Sequence, residues 1–205
     1  MRTAVLMLLG LSACATSPAH GTWSDRTLAI AKDGVLCSHR VPEASCVLHH
    51  PELASEFRRT GDWCGEHAVP ESQCLVCHPD LTFEPLPALA STADVRWLTT
   101  EGAVVGPLSS LSVAGKVTVV DFYADWCAPC RKVDRHLFTL SNTRTDLAVR
   151  KLNVVSWETP LAKEHLREVP TLPFLVVFGR DGREVKRVSG FDLAALDAAL
   201  VEASR

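Results

Sequence analysis

No apolar run in this 205-residue chain reaches the roughly 18 residues of a membrane-spanning helix, so no such helix is read from it. Phosphate-cradling glycine loops and low-complexity tracts are also missing, which removes the function classes that depend on them. Nor is positive charge in excess. The 21 basic residues face 24 acidic ones for a net charge of −3, leaving no electrostatic footprint for a nucleic acid. After residue 130 there is no further cysteine and no histidine cluster. What is present is a 47% hydrophobic composition, enough for one full core and one small extra module.

The chemistry-bearing stretch is Trp126-Cys127-Ala128-Pro129-Cys130. Two cysteines spaced this way can form half of a zinc site or a redox pair, and the flanks decide. Before them runs Val117 to Tyr123, β-branched, aromatic and almost uniformly apolar, as a strand covered on both faces should be. After them Val133, Leu137 and Leu140 recur at helical spacing, with Arg131, Lys132, Asp134 and Arg135 off that stripe. The pair therefore sits at a helix start, where the exposed N–H groups stabilise a thiolate. Cys127 is read as the nucleophile and Cys130, one turn in, as the resolving thiol. Pro129 stiffens the first turn at little cost, because its missing N–H would be unpaired there anyway. Trp126 is placed to touch a substrate, whereas Trp97 and Trp157 read as packing.

Downstream, the sequence predicts a strand over 148–155, a helix from Thr159-Pro160 through Leu166, and a strand Phe174 to Phe178. A turn at 179–182, a strand Glu184 to Ser189 and a helix capped by Asp192 follow. Strands alternating with helices and closing on a hairpin and a helix imply an α/β fold, a mixed central sheet flanked by helices.

The segment VVDFYADWCAPCRK, followed by VRKLNVV, VPTLPFLVVFGRDG and VSGF, resembles the thioredoxin family over about the last 110 residues. DFYADWC and VSGF are similar in particular to the C-terminal domain of the bacterial transmembrane thiol-disulfide interchange reductases. The resemblance implies a thioredoxin fold and thiol-disulfide oxidoreductase activity, with no cofactor for the redox domain. By position it makes Asp121 the buried carboxylate near the resolving cysteine and Lys151 its buried partner. A carboxylate within a strand is costly unless paired or protonated, and one that trades a proton would serve Cys130. The family also carries a cis-proline opposite the cysteines. Both Pro170 and Pro173 are candidates; a strand of usual length ending at the 179–182 turn places it at Pro173, with Leu172 lining the substrate groove.

The N-terminus reads as a targeting segment. Arg2 precedes a short apolar run, Ala4 to Leu11, that ends in Leu11-Ser12-Ala13-Cys14 and resembles a bacterial lipoprotein signal in which Cys14 is lipidated. Alanine after the cysteine suggests outer-membrane sorting, hence a periplasmic domain on a lipid anchor. That oxidising compartment requires an upstream thiol reductant for a dithiol that reduces protein disulfides.

Between anchor and redox domain lies an internal repeat, CSHRVPEASCVLHHPEL from Cys37 and CGEHAVPESQCLVCHPDL from Cys64. It holds five of the eight cysteines and five of the eight histidines. The first copy offers Cys37, His39, Cys46 and His49 or His50; the second offers Cys64, His67, Cys74 and Cys77, with His78 adjacent. Each copy carries four ligands suited to a tetrahedral ion, zinc for mixed Cys/His sets or Cu(I) for thiolate-rich ones. The repeat resembles the Cys/His-rich N-termini of some periplasmic adaptor subunits of metal-efflux pumps, although His49 stands where those more commonly have a cysteine. A disulfide-stapled module and a second redox pair at Cys74/Cys77 stay open, but five cysteines cannot all pair among themselves. The expected organisation is a signal peptide over 1–13, a tether over 14–35, a Cys/His module over 36–82, a linker over 83–94 and a thioredoxin-like domain over 95–205. A metal-handling binding protein whose dithiol serves the metal site is the alternative function.

Overall fold

The computed structural model describes residues 35–79, 81, 83, 85–99 and 101–205. The expected signal segment, Cys14 and nearly all of the tether lie outside these residues. The C-terminal part is a five-stranded sheet: β1 (Asp94–Thr99), β2 (Val117–Tyr123), β3 (Leu147–Asn153), β4 (Phe174–Phe178) and β5 (Glu184–Ser189). Their spatial order is β1-β3-β2-β4-β5. β3 runs parallel to both β1 and β2, whereas β4 is antiparallel to β2 and β5 to β4. β2, β3 and β4 lie inside the sheet and are almost wholly buried, which explains the apolar runs of β2 and β4; β3 also buries Arg150, Lys151 and Asn153.

Within this part, helices α2 (Ala128–Ser141), α3 (Pro160–His165) and α4 (Leu193–Ala203) cover the sheet. One apolar cluster joins Val133, Leu137 and Phe138 of α2 to Leu196 and Leu200 of α4 across Val119, Val149 and Val177. The opposite cluster packs Leu161 and Leu166 against Val120, Leu152 and Val176, and it extends to Cys127 and Cys130. Caps fall where the sequence places them. Thr159 accepts a hydrogen bond from Ala162 N–H at the start of α3, and Asp192 one from Ala195 N–H at the start of α4.

Two differences from the sequence reading have local causes. β3 ends at Asn153 rather than 155 because Val155 adopts a left-handed φ of 63°, a costly conformation for a β-branched residue. Trp126 Nε1 donates to the Val155 carbonyl at 2.6 Å, and Val155 N–H donates to Asn153 Oδ1 at 2.9 Å. The second difference is β1, an edge strand whose alternating charges gave little apolar signal. The segment before β1 is also held down: Asn142, at the end of α2, accepts from Ala90 N–H and donates to the Ala88 carbonyl.

Among its described residues the N-terminal module has little regular structure, only single 3₁₀ turns and helix α1 (Ala54–Arg59). Its two copies share a backbone plan. Cys37 N–H donates to the Val41 carbonyl and Cys64 N–H to the Val69 carbonyl, while Arg40 and Ala68 take matching left-handed φ values of 62° and 54°. A 3₁₀ turn then follows each Val-Pro pair, at Glu43–Ser45 and Glu71–Gln73. Gln73 Nε2 donates to the Ser45 carbonyl at 2.7 Å, tying one copy to the other.

Candidate functional site

Strand β2 delivers the chain to the sheet's C-terminal edge, and a short turn hands it to α2. Cys127 is the N-cap of that helix and Cys130 lies in its first turn, with Pro129 in the first two helical positions. The two sulfurs form a disulfide with Cα atoms 5.3 Å apart. Cys130 N–H points at Cys127 Sγ, 3.2 Å away. Once the pair is reduced, that N–H and the helix N-terminus favour the thiolate at Cys127. The Leu172-Pro173 peptide bond is cis, and Leu172 joins Trp126 and Cys127 in one apolar cluster.

A buried ionic triad joins the strand that precedes the pair to the helix that carries it. Lys151, on β3, is fully buried and reaches Asp121 Oδ2 on the neighbouring β2 at 2.5 Å. It also contacts Asp134 Oδ1 from α2, and its Nζ stands 4.0 Å from the centre of the Tyr123 ring. Burial disfavours the Lys151 charge, but attraction to Asp121 and Asp134 outweighs it and raises the ammonium's pKa above its usual value. Asp121 Oδ1 is buried and has no hydrogen-bond partner. The β2–β3 register, in which Asp121 faces Lys151, sets this geometry. The role of Asp134 was missed by sequence reasoning, which noted only that it lies off the apolar stripe. The available signal was its spacing: Asp134 follows Cys130 by four residues and therefore shares its helix face.

The cysteines and histidines of the module gather into two clusters, Cys37/His39/Cys46/His49 and Cys64/His67/Cys74/Cys77. Ligand atoms in each lie within 4.8 Å of one another. A tetrahedral zinc ion with ordinary Zn–S and Zn–N bonds would set its ligand atoms roughly 3.3–3.8 Å apart. In the second cluster His67 Nδ1 lies 3.4, 3.5 and 3.4 Å from the sulfurs of Cys64, Cys74 and Cys77, and Cys64 to Cys77 is 3.7 Å. In the first, His39 Nδ1 is 3.8 Å from Cys37 Sγ and 3.5 Å from Cys46 Sγ. The donor sets therefore fit a tetrahedral ion. His49 Nδ1 pairs with Glu43 at 2.9 Å, leaving Nε2 as its ligand atom, the carboxylate-histidine arrangement that orients metal ligands. His50 and His78 instead face Glu52 and Glu71. All five module cysteines are free, and hydrogen-bonding with Cys64 and Cys74 pushes the Cys77 thiol up to about 12, a penalty a bound cation would relieve.

The thioredoxin family model matches residues 109–202. Thioredoxin-2 of Saccharomyces cerevisiae is 34% identical over 92 residues, 45% of this chain and 85% of that protein. The chain belongs to the thioredoxin family. A thioredoxin of Chlamydia pneumoniae is 35% identical over 78 residues, covering 38% of this chain and 72% of its own length. Among solved structures, spinach chloroplast thioredoxin f aligns over 56% of this chain and 98% of its own, with 21% identity and a TM-score of 0.43. Membership in the thioredoxin family supports thiol-disulfide oxidoreductase activity for this chain. The Cys/His repeat lies outside the residues matched by the family model.

The triad yields a stability prediction. Lys151→Met strands the buried Asp121 carboxylate and should cost about 3–5 kcal/mol near pH 7 in denaturant unfolding. The wild-type contribution from the raised lysine pKa is complete at neutral pH and is lost only as pH rises through that value. The gap between variant and wild type should narrow on acidification, because protonation removes the stranded charge. A constant gap from about pH 7 to about pH 5 would show that charge is not its source.

Proposed function

We propose that the chain is a periplasm-facing, lipid-tethered thiol-disulfide reductase whose N-terminal module binds two metal ions. The observation that carries the redox role is the Cys127–Cys130 disulfide at the N-terminus of a helix that also anchors the Asp121/Lys151/Asp134 triad. An upstream dithiol first reduces the pair. Cys127 thiolate then attacks one sulfur of a substrate disulfide, and the other substrate sulfur leaves as a thiolate. Cys130 gives its proton to Asp121 Oδ1, the unpartnered oxygen, and attacks the Cys127 sulfur. The second substrate thiolate departs, so two electrons have passed to the substrate and the protein disulfide is restored. Lys151 and Asp134 are positioning residues that hold Asp121 through its other oxygen. Leu172 and Pro173 form the substrate wall beside Trp126. Localisation rests on the Cys14 lipoprotein-like signal and the oxidising compartment it implies.

A second reading is favoured by the two tetrahedral donor sets: a metal-handling protein whose dithiol keeps the module's thiols reduced. Cys37, His39, Cys46 and His49 would hold one ion and Cys64, His67, Cys74 and Cys77 the other. Zinc suits the first set, and the thiolate-rich second set also suits Cu(I).

Cys130→Ser should accumulate mixed disulfides through Cys127 when the reduced protein meets a disulfide substrate, as read by mass spectrometry after acid quenching. Capture through Cys130 in Cys127→Ser, with none through Cys127 in Cys130→Ser, would reverse the assignment. Asp121→Asn keeps the side-chain shape and should slow resolution of the mixed disulfide on the order of tenfold to a hundredfold, while leaving the attack step unchanged. Equal resolution rates in stopped flow would assign Asp121 a structural role.

For the module, native mass spectrometry of the reduced full chain loaded with zinc should count two ions, and Cys74→Ser with Cys77→Ser should leave one. Protein that takes up no metal and instead carries disulfides among Cys37, Cys46, Cys64, Cys74 and Cys77 would establish the stapled module.

A further inference from the structure

A thioredoxin nucleophile must be reached by its substrate, and reactive cysteines sit where they are at least partly open. Here Cys127 is only 6% exposed and Cys130 2%. Part of that covering comes from the N-terminal module. Val47 and Phe57 belong to the same buried apolar cluster as Trp126, Cys127, Cys130 and Leu172, with Leu53, Trp63 and Val69 packed against it. Arg59, at the end of α1, lies 5.8 Å from the centre of the Trp126 ring and 5.3 Å from that of Trp157, bridging the two tryptophans beside the disulfide. The small apolar core of the module is thus continuous with the redox face.

The cysteines meet open space in a cleft of about 510 Å³ at the junction. Ser45, Phe57 and Gln73 line it from the module; Trp126, Cys127 and Cys130 line it from the thioredoxin domain. Its volume falls within the range of small-molecule sites. Ser45 and Gln73 are also joined by the hydrogen bond that ties the two copies together, so the module wall is one braced piece.

We propose that this cleft is a composite substrate site for a low-molecular-mass disulfide, a specificity that the thioredoxin domain alone would not have. The inference rests on the reductase reading above and adds its substrate class. One turn of the reaction converts the Cys127/Cys130 dithiol and a small disulfide, RSSR, into the protein disulfide and two RSH. Cys127 displaces the first thiolate, and Cys130 displaces the second from the mixed disulfide. The two thiol hydrogens of the protein end on the two products, and an external dithiol re-reduces the protein.

The test uses the full chain with dithiothreitol as reductant and compares oxidised glutathione with insulin as probes. Wild type should favour oxidised glutathione in kcat/KM by about tenfold or more. Phe57→Ala, which removes the largest module side chain on the cleft, should raise insulin turnover and reduce that preference to within about threefold. Ser45→Trp should fill the cleft and cut kcat/KM for oxidised glutathione about tenfold, mainly through KM. Insulin turnover equal to that of the small disulfide in wild type overturns the proposal, as does a ratio moved by neither variant. Absence of turnover with both probes would instead sink the reductase reading itself, so the two failures are distinct.

Discussion

The ammonium group of Lys151 holds the redox domain in register. It ties β3 to β2 through Asp121 and both strands to α2 through Asp134, so one buried cation fixes the sheet beneath the disulfide and the helix that carries it. Ion pairs this deep repay their desolvation only with close geometry, and replacing all three groups by apolar ones could give an equally stable fold. What an apolar replacement could not supply is a buried carboxylate oxygen without a partner, Asp121 Oδ1, the proton acceptor of the proposed mechanism. Stability and chemistry thus make opposite demands on the same site, and Lys151 reconciles them by engaging one oxygen of Asp121 and leaving the other.

The module solves a different problem. A segment from Val35 to Pro79 with one short helix cannot bury much apolar surface by itself, and this chain supplies two substitutes. One is the pair of four-ligand clusters, in which a metal would stand in for a core. The other is the thioredoxin domain, whose apolar redox face continues the module's own packing through Phe57 and Val47. Because the module packs into the cluster that holds the disulfide, the way it gains order bears on the proposed access to Cys127.

Much of this was legible in the sequence, for identifiable reasons. Strands β2, β4 and β5 were placed at their observed bounds because inner strands are continuously apolar and the hairpin turn at 179–182 punctuates the last two. Strong local cap chemistry at Thr159 and Asp192 marked two helix starts. The eight candidate ligands were legible because the repeat doubles the pattern, and the structure gathers each set of four. β1 was not, since its charged residues and edge position weaken the apolar alternation. Asp134 was read only as polar, because a buried charge is visible in sequence only once its partner is known to lie opposite. The docking of Phe57 and Arg59 on the redox face carries no periodic signal at all; it depends on shape between segments some seventy residues apart.

The strand order leaves β1 and β5 as the two margins of the sheet, and both are charged. Asp94 on β1 pairs with Lys116 and Arg150, while Glu184 on β5 pairs with Arg187, with Lys186 between them. Unpaired strand edges otherwise recruit one another, and like copies held side by side at high local density are the most exposed to that fate. Charged margins oppose edge-to-edge stacking, so crowding copies of this sheet would be expected to leave them separate rather than seed an aggregate.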